Sequence, residues 1–386
     1  MHTTMTIHLW VRYSSLVAAG ACLLASCTVT EPLLYQGTTG SPPSAPVYAY
    51  QSGGVSVFHF IGTTQRITLT EEYDKTRVID VVTQQDIHIF LQAPGGSKSF
   101  AETDSAGRIF VQADESRADV LDLATGKWMQ SFKPVRSYGS RYTFLSPDGK
   151  VLFFDSRLWG VAKAEQIIEL DDDPINSAAF SADGRYFARG GRFGTQWLDL
   201  QTKKVERLPD EAKTSQVQFG RDNRLYRSYG ANRSDSAPWL HQSASNWMNE
   251  IAVSQLGDNK TRKTFEPRSR IACWALSPNH QVFAALVDGT LVWLDEDLKI
   301  QKQWHSELKV TACLPDKQQR VWLGTHDSGL LALYLEQGRL KQVLPSTIHW
   351  IKSVKLSSDE NYLGLLLFRS DDPSRKVEIY KTAELE

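Results

Sequence analysis

The chain has 386 residues, 41% of them hydrophobic and 23% charged, with a formal net charge of -1. This is ordinary globular composition, and its length suits two small domains or one large all-β domain. The lack of any domain-wide basic excess argues against a nucleic-acid partner, and beyond the N-terminus no apolar stretch approaches the roughly 20 residues of a membrane-spanning helix.

Residues 1–15 hold Arg12 and no acid, and an apolar run of residues 16–25 follows. About ten apolar residues suit a secretory signal and are too few to span a bilayer. The run ends in Leu24-Ala25-Ser26-Cys27. This tetrapeptide resembles the bacterial lipoprotein box, an aliphatic residue and two small ones before a cysteine. The resemblance implies a thioether-linked lipid on Cys27, cleavage between Ser26 and Cys27, and acylation of the new amino group. It further implies a cell-envelope location facing the periplasm, with the lipid bilayer as one partner. Thr28 in place of Asp implies the outer membrane where the enteric sorting rule holds. Residues 28–46 lack periodicity and are rich in Gly, Pro, Ser and Thr, which reads as a flexible tether. The expected organisation is therefore a signal peptide over 1–26, a lipidated cysteine and tether over 27–46, and a folded domain over 47–386.

From Val47 onward, apolar residues alternate in runs of four to eight, the period of half-buried strands. A tight turn recurs between such runs, as Ser146-Pro-Asp-Gly149, Ser181-Ala-Asp-Gly184, Asp104-Ser-Ala-Gly107 and Ser277-Pro-Asn-His280, with looser copies at Leu314-Pro-Asp-Lys317 and Ser357-Ser-Asp-Glu360. Asp or Asn with Gly supplies the side-chain acceptor and the positive φ of a hairpin. A second feature lies downstream: Val120-Leu-Asp122, Trp197-Leu-Asp199 and Trp293-Leu-Asp295 each end a strand in Asp before a polar turn. Turn spacing near 40 residues is the length of a four-stranded propeller blade. Together these resemble WD-repeat and related bacterial propellers, although the strict Trp-Asp and Gly-His pairs are missing. The resemblance implies an all-β fold, a single β-propeller of seven or eight four-stranded blades, with eight favoured. A strand near Val47-Tyr-Ala-Tyr50 is expected to complete the final blade.

Catalytic, metal and cofactor motifs are lacking: the histidines are scattered without ligand spacing, and neither a nucleophile elbow nor a phosphate loop occurs. Asp171-Asp-Asp-Pro174 reads as a hydrated turn rather than a calcium loop. Cys273 and Cys313 fall on neighbouring innermost strands, three residues out of register when Pro278 and Pro315 are aligned, which favours two buried thiols over a disulfide. The innermost strands carry mostly Phe, Ala, Leu and Cys. The largest departure from the repeat is the loop of residues 230–247, which holds Arg233, Trp239, His241 and Trp247; Arg192 and Arg369 occupy equivalent loops elsewhere. Tryptophan and arginine are enriched at interface hot spots. These six residues are the candidate contacts with another envelope protein, set against packing on neighbouring blades for the two tryptophans and solvated turns for the Arg192 and Arg369 loops, and a protein-binding scaffold is the expected function. The alternative is a hydrolase or lactonase with a site in the central channel.

Overall fold

The computed structural model describes residues 30–36, 44–52, 55–62, 64–71, 75–91, 100–113, 117–133, 143–171, 175–208, 213–230, 248–257, 262–347, 349–369 and 375–385. Almost all of their regular structure is antiparallel strand. Seven hydrogen-bonded sheets form, and the one of eight strands divides into two four-stranded units joined by a single bridge between Met248 and Ile271. The blades, numbered here in chain order, span 55–91, 100–132, 144–169, 175–207, 214–265, 271–305, 310–344 and 350–381. Within each, the strands lie in sequence order, and the first strands of successive blades contact one another around a centre.

The repeated turn explains why the strands reverse where they do. Ser146 Oγ donates to Asp148 Oδ1 (2.7 Å) and accepts from the Val151 amide (2.9 Å), while Gly149 takes φ +73°. Ser181 with Asp183 and Ser357 with Asp359 repeat these bonds. The strand-ending aspartates do matching work at the next hairpin: Asp122, Asp199 and Asp295 each accept from two amides of the following turn. Such local side-chain bonds fix the register that hydrophobic alternation alone leaves free to slip.

Core residues pack between adjacent blades rather than within them. Phe58 of blade 1 sits with Leu366, Val377 and Ile379 of blade 8, all essentially buried; each such side chain contributes about 1.5–3 kcal/mol on leaving water. Gly364 permits this contact, since a Cβ there would lie 2.4 Å from the Phe58 ring. Ring closure is as expected: Tyr48–Ser52 pairs antiparallel with Arg375–Lys381 as the outer strand of blade 8. The last blade is thus built from both ends of the chain, which removes an unpaired edge.

Two expectations need correcting. Part of the segment read as a flexible tether is docked: Leu34–Gln36 runs parallel to Arg339–Leu344 as a fifth strand on blade 7. The Glu31 amide also donates to the Gln303 carbonyl (2.8 Å). Its side chains are exposed, and the pairing is carried mainly by backbone, with Tyr35 Oη donating to Gln342 Oε1 (3.3 Å), so no hydrophobic pattern is left to read. Second, Cys273 and Cys313 form a disulfide, with Cα atoms 6.1 Å apart, within the usual span. The proline alignment misled. Asp316, not Pro315, opens the turn of blade 7: its carboxylate accepts from the Gln318 and Arg320 amides, and its own amide donates to the Arg320 carbonyl as that of Ser277 does to Gln281. Counted from that turn, the cysteines differ by one position, and both inner strands carry a register shift at their start.

Candidate functional site

The tight turns between first and second strands all lie on one face of the ring, and the connections between second and third strands lie on the other. The two faces carry different candidate sites.

On the turn face, a cavity of about 670 Å³ opens at the mouth of the channel. Its wall comes from the ends of the inner strands of blades 1, 2, 5, 6, 7 and 8. Counting back two residues from the turn gives one position in each blade: His59, Glu102, Phe144, Ala179, Gln218, Ala275, Leu314 and Lys355. Blades 8, 1 and 2 are neighbours, so Lys355, His59 and Glu102 form one polar sector, and the remaining positions are apolar or small except Gln218. The statement that inner strands hold mostly Phe, Ala, Leu and Cys therefore misses the charged sector. The three stand in three different strands, and only comparison at equal distance from the turn brings them together.

These side chains also brace the seams between blades. Lys355 Nζ donates to the Phe58 carbonyl (2.8 Å) and lies 3.3 Å from His59 Nδ1. Glu102 Oε2 accepts from the Leu145 amide (2.7 Å), and Gln218 Oε1 from the Leu276 amide (3.3 Å). All three reach from one blade to the next. Lys355 and His59 line the cavity; Glu102 does not, but it is close enough to Lys355 for each to act on the other's proton. Burial pushes the Glu102 carboxyl up to about 7, against the pull of the Leu145 amide and the Lys355 charge. Burial likewise brings Lys355 down to about 8, with Glu102 opposing, and holds His59 well below its usual range, helped by the Lys355 charge. The surrounding blades keep the local dielectric low, which is why desolvation leads in all three.

On the opposite face, the long loop leaves blade 5 between Gly230 and Met248, which pair with each other. Arg233, Trp239, His241 and Trp247 lie outside the described residues, as do Ser26 and Cys27. Arg192 is exposed on the hairpin of neighbouring blade 4, its guanidinium 5.6 Å from the Phe193 ring, which is itself 54% exposed. Arg369 stands at the corresponding corner of blade 8, on the same face as Arg192 and half the ring away from it. Asp171, first of the acidic run, is committed to the protein: its carboxylate accepts from Arg207 (2.9 Å), and its carbonyl accepts from Arg189 (2.7 Å). Among the described residues no group of three or more His, Cys, Asp or Glu is placed to hold a metal ion.

No family model matches the chain, and no curated protein matches it. Among solved structures it is similar to the C-terminal WD40 domain of Sif2, with a TM-score of 0.66 and 11% identity, covering 86% of this chain and 97% of that one. It is also similar to the computationally designed Ika8 protein, with a TM-score of 0.57 and 16% identity, covering 72% of this chain and 83% of that one. At these identities the likeness carries fold and not activity. Strand order, ring closure and this likeness agree: the chain is, in fold, a WD40-like β-propeller.

Proposed function

We propose that this propeller is a protein-binding scaffold of the bacterial cell envelope, held at the outer membrane by a lipid on Cys27 and facing the periplasm. The observation that carries the binding role is the break in the repeat at blade 5. The hairpin of blade 4 at this corner is short, Gly191 pairing with Gly194 and exposing Phe193, whereas the chain spends residues 231–247 between the paired Gly230 and Met248 of neighbouring blade 5. Loops on a rigid scaffold are where recognition is built. The Cys273–Cys313 disulfide supports an oxidising compartment, and the Leu-Ala-Ser-Cys box supports the anchor.

Two measurements test this. Radiolabelled palmitate should enter the wild type and not Cys27→Ala; equal labelling would refute the anchor. Trp239→Ala combined with Trp247→Ala should abolish crosslinks to the envelope partner at an unchanged Tm. A large fall in Tm would instead assign both rings to packing, since a buried tryptophan contributes about 3–5 kcal/mol. The second reading, a hydrolase or lactonase acting in the channel, draws on the sector of Lys355, His59 and Glu102. Turnover of a lactone or ester panel that Lys355→Met abolishes would favour it.

A further inference from the structure

We propose that the channel mouth on the turn face binds a small organic carboxylate with an apolar body, its charge taken by Lys355 and His59. The cavity is asymmetric. One side is apolar, formed by Phe219, Leu276, Leu314 and Pro315 of blades 5, 6 and 7. The other presents donors. A charged ammonium has no lone pair, so the 3.3 Å approach of Lys355 Nζ to His59 Nδ1 places Lys355 as donor and leaves the ring proton of the neutral histidine on Nε2. Lys355 spends a second proton on the Phe58 carbonyl and retains a third. Gln218 has its carbonyl oxygen occupied by the Leu276 amide, which leaves its amino group to the cavity. Donors from three blades thus face a space that Phe219, Leu276, Leu314 and Pro315 close on one side, with Asp104, Ser277, His280 and Glu360 at its rim. Anions whose charge and apolar parts lie at opposite ends match that division.

The acceptors at the rim are already engaged: Asp104 accepts from the Arg108 and Ile109 amides, and Glu360 from the Lys317 amide. Glu102 sits behind Lys355 rather than in the cavity wall and acts as a governor of its charge. As pH rises, ionisation of Glu102 offsets the ammonium, and loss of the Lys355 proton then removes it. Both steps weaken an anion, so affinity falls in one direction only. Beyond His59, Glu102 and Lys355, the titratable groups around the mouth are Asp104, His280 and Glu360. The inner strand of blade 7 offers none, its Cys313 being in the disulfide.

The inference is independent of the lipid anchor and of the opposite rim. The probe is 8-anilinonaphthalene-1-sulfonate, followed by fluorescence on the folded mature chain and competed with octanoate. Octanoate should displace the probe from wild type. Lys355→Met should weaken octanoate about tenfold or more, the usual scale for losing a charged hydrogen-bond donor. Lys352→Met, the same charge change at an exposed residue of that strand, should leave affinity unaltered. Because Lys355 also braces a seam, wild-type protein gives a second measurement: affinity should decline steadily from about pH 6 to about pH 9. Glu102→Gln should flatten the lower half of that decline. Probe fluorescence that octanoate does not displace, equal losses in both lysine variants, or a wild-type profile flat with pH would each overturn the proposal.

Discussion

The seam between blades 6 and 7 and the seam between blades 8 and 1 solve the same packing problem by different means. Blades 6 and 7 follow one another in the chain, and their seam holds a disulfide whose cysteines are 40 residues apart. Phe283, Trp293, Val321 and Leu333 pack between the two blades. Blade 8 draws three strands from the end of the chain and one from its beginning, and it meets blade 1 with no disulfide among the described residues, the chain itself passing from the outer strand of blade 8 into blade 1. There the joint consists of Phe58 against Gly364, the Lys355 bond to the Phe58 carbonyl, Ser358 Oγ donating to the Gly62 carbonyl (2.6 Å), and the closing strand Tyr48–Ser52. The cross-link therefore reinforces a seam that connectivity already maintains, while the seam that closes the ring relies on non-covalent contacts. Stability of a blade and closure of the ring are separable properties.

Removing the closing strand should separate them most sharply. A chain beginning after Ser52 leaves Arg375–Lys381 as an exposed edge, and aggregation on size exclusion is the expected outcome; a monomeric, folded truncation would show that closure does not depend on that strand. Loss of the disulfide should matter less. Cys273→Ser with Cys313→Ser is expected to cost about 2–4 kcal/mol in denaturant unfolding while the protein stays monomeric. A smaller effect is expected from Gly364→Ala, about 1–3 kcal/mol, because the new methyl meets the Phe58 ring across the closing seam. The corresponding Ala at Gly257, where a Cβ would meet no atom within 4 Å but φ is +83°, tests backbone conformation alone.

The smallest effect is electrostatic. The folded state holds the Glu102 proton up to about pH 7, whereas the unfolded chain releases it near 4.5. Between those values the unfolded chain binds fewer protons, so this group's contribution falls as pH rises. Glu102→Gln should therefore raise Tm by on the order of a few degrees at pH 8, with the advantage shrinking toward pH 5. An advantage that is the same at both pH values would contradict the raised carboxyl.

Much of this architecture was legible because it is written in local chemistry. The Ser-x-Asp-Gly turn and the strand-ending Asp each act through hydrogen bonds within a few residues, so Ser146 to Gly149 and Asp199 announce their hairpins directly. Closure was legible from a count, since the last blade lacked a strand and the first had one to spare. What stayed hidden is relational. Lys355, His59 and Glu102 are far apart in sequence and become a group only when eight strands are compared at one register. The cysteine pairing turned on a one-residue question, whether Pro315 or Asp316 opens the turn. Leu34–Gln36 pairs mainly through its backbone with its side chains exposed, and no hydrophobic alternation betrays that.

Closure by the first strand also sets a clock. Ser44 Oγ donates to the carbonyl of Glu384, 340 residues further along the chain. Under the proposed export route the chain reaches the periplasm N-terminus first, so the early strand waits there until Arg375–Lys381 has also crossed. Seven blades can stack during that interval, but the ring stays an open arc with an unpaired edge until the last segment arrives. Contacts of such separation are the slowest to form. The ring's most vulnerable period therefore falls late in that delivery, and whatever shields the edge needs to act there rather than on the ribosome.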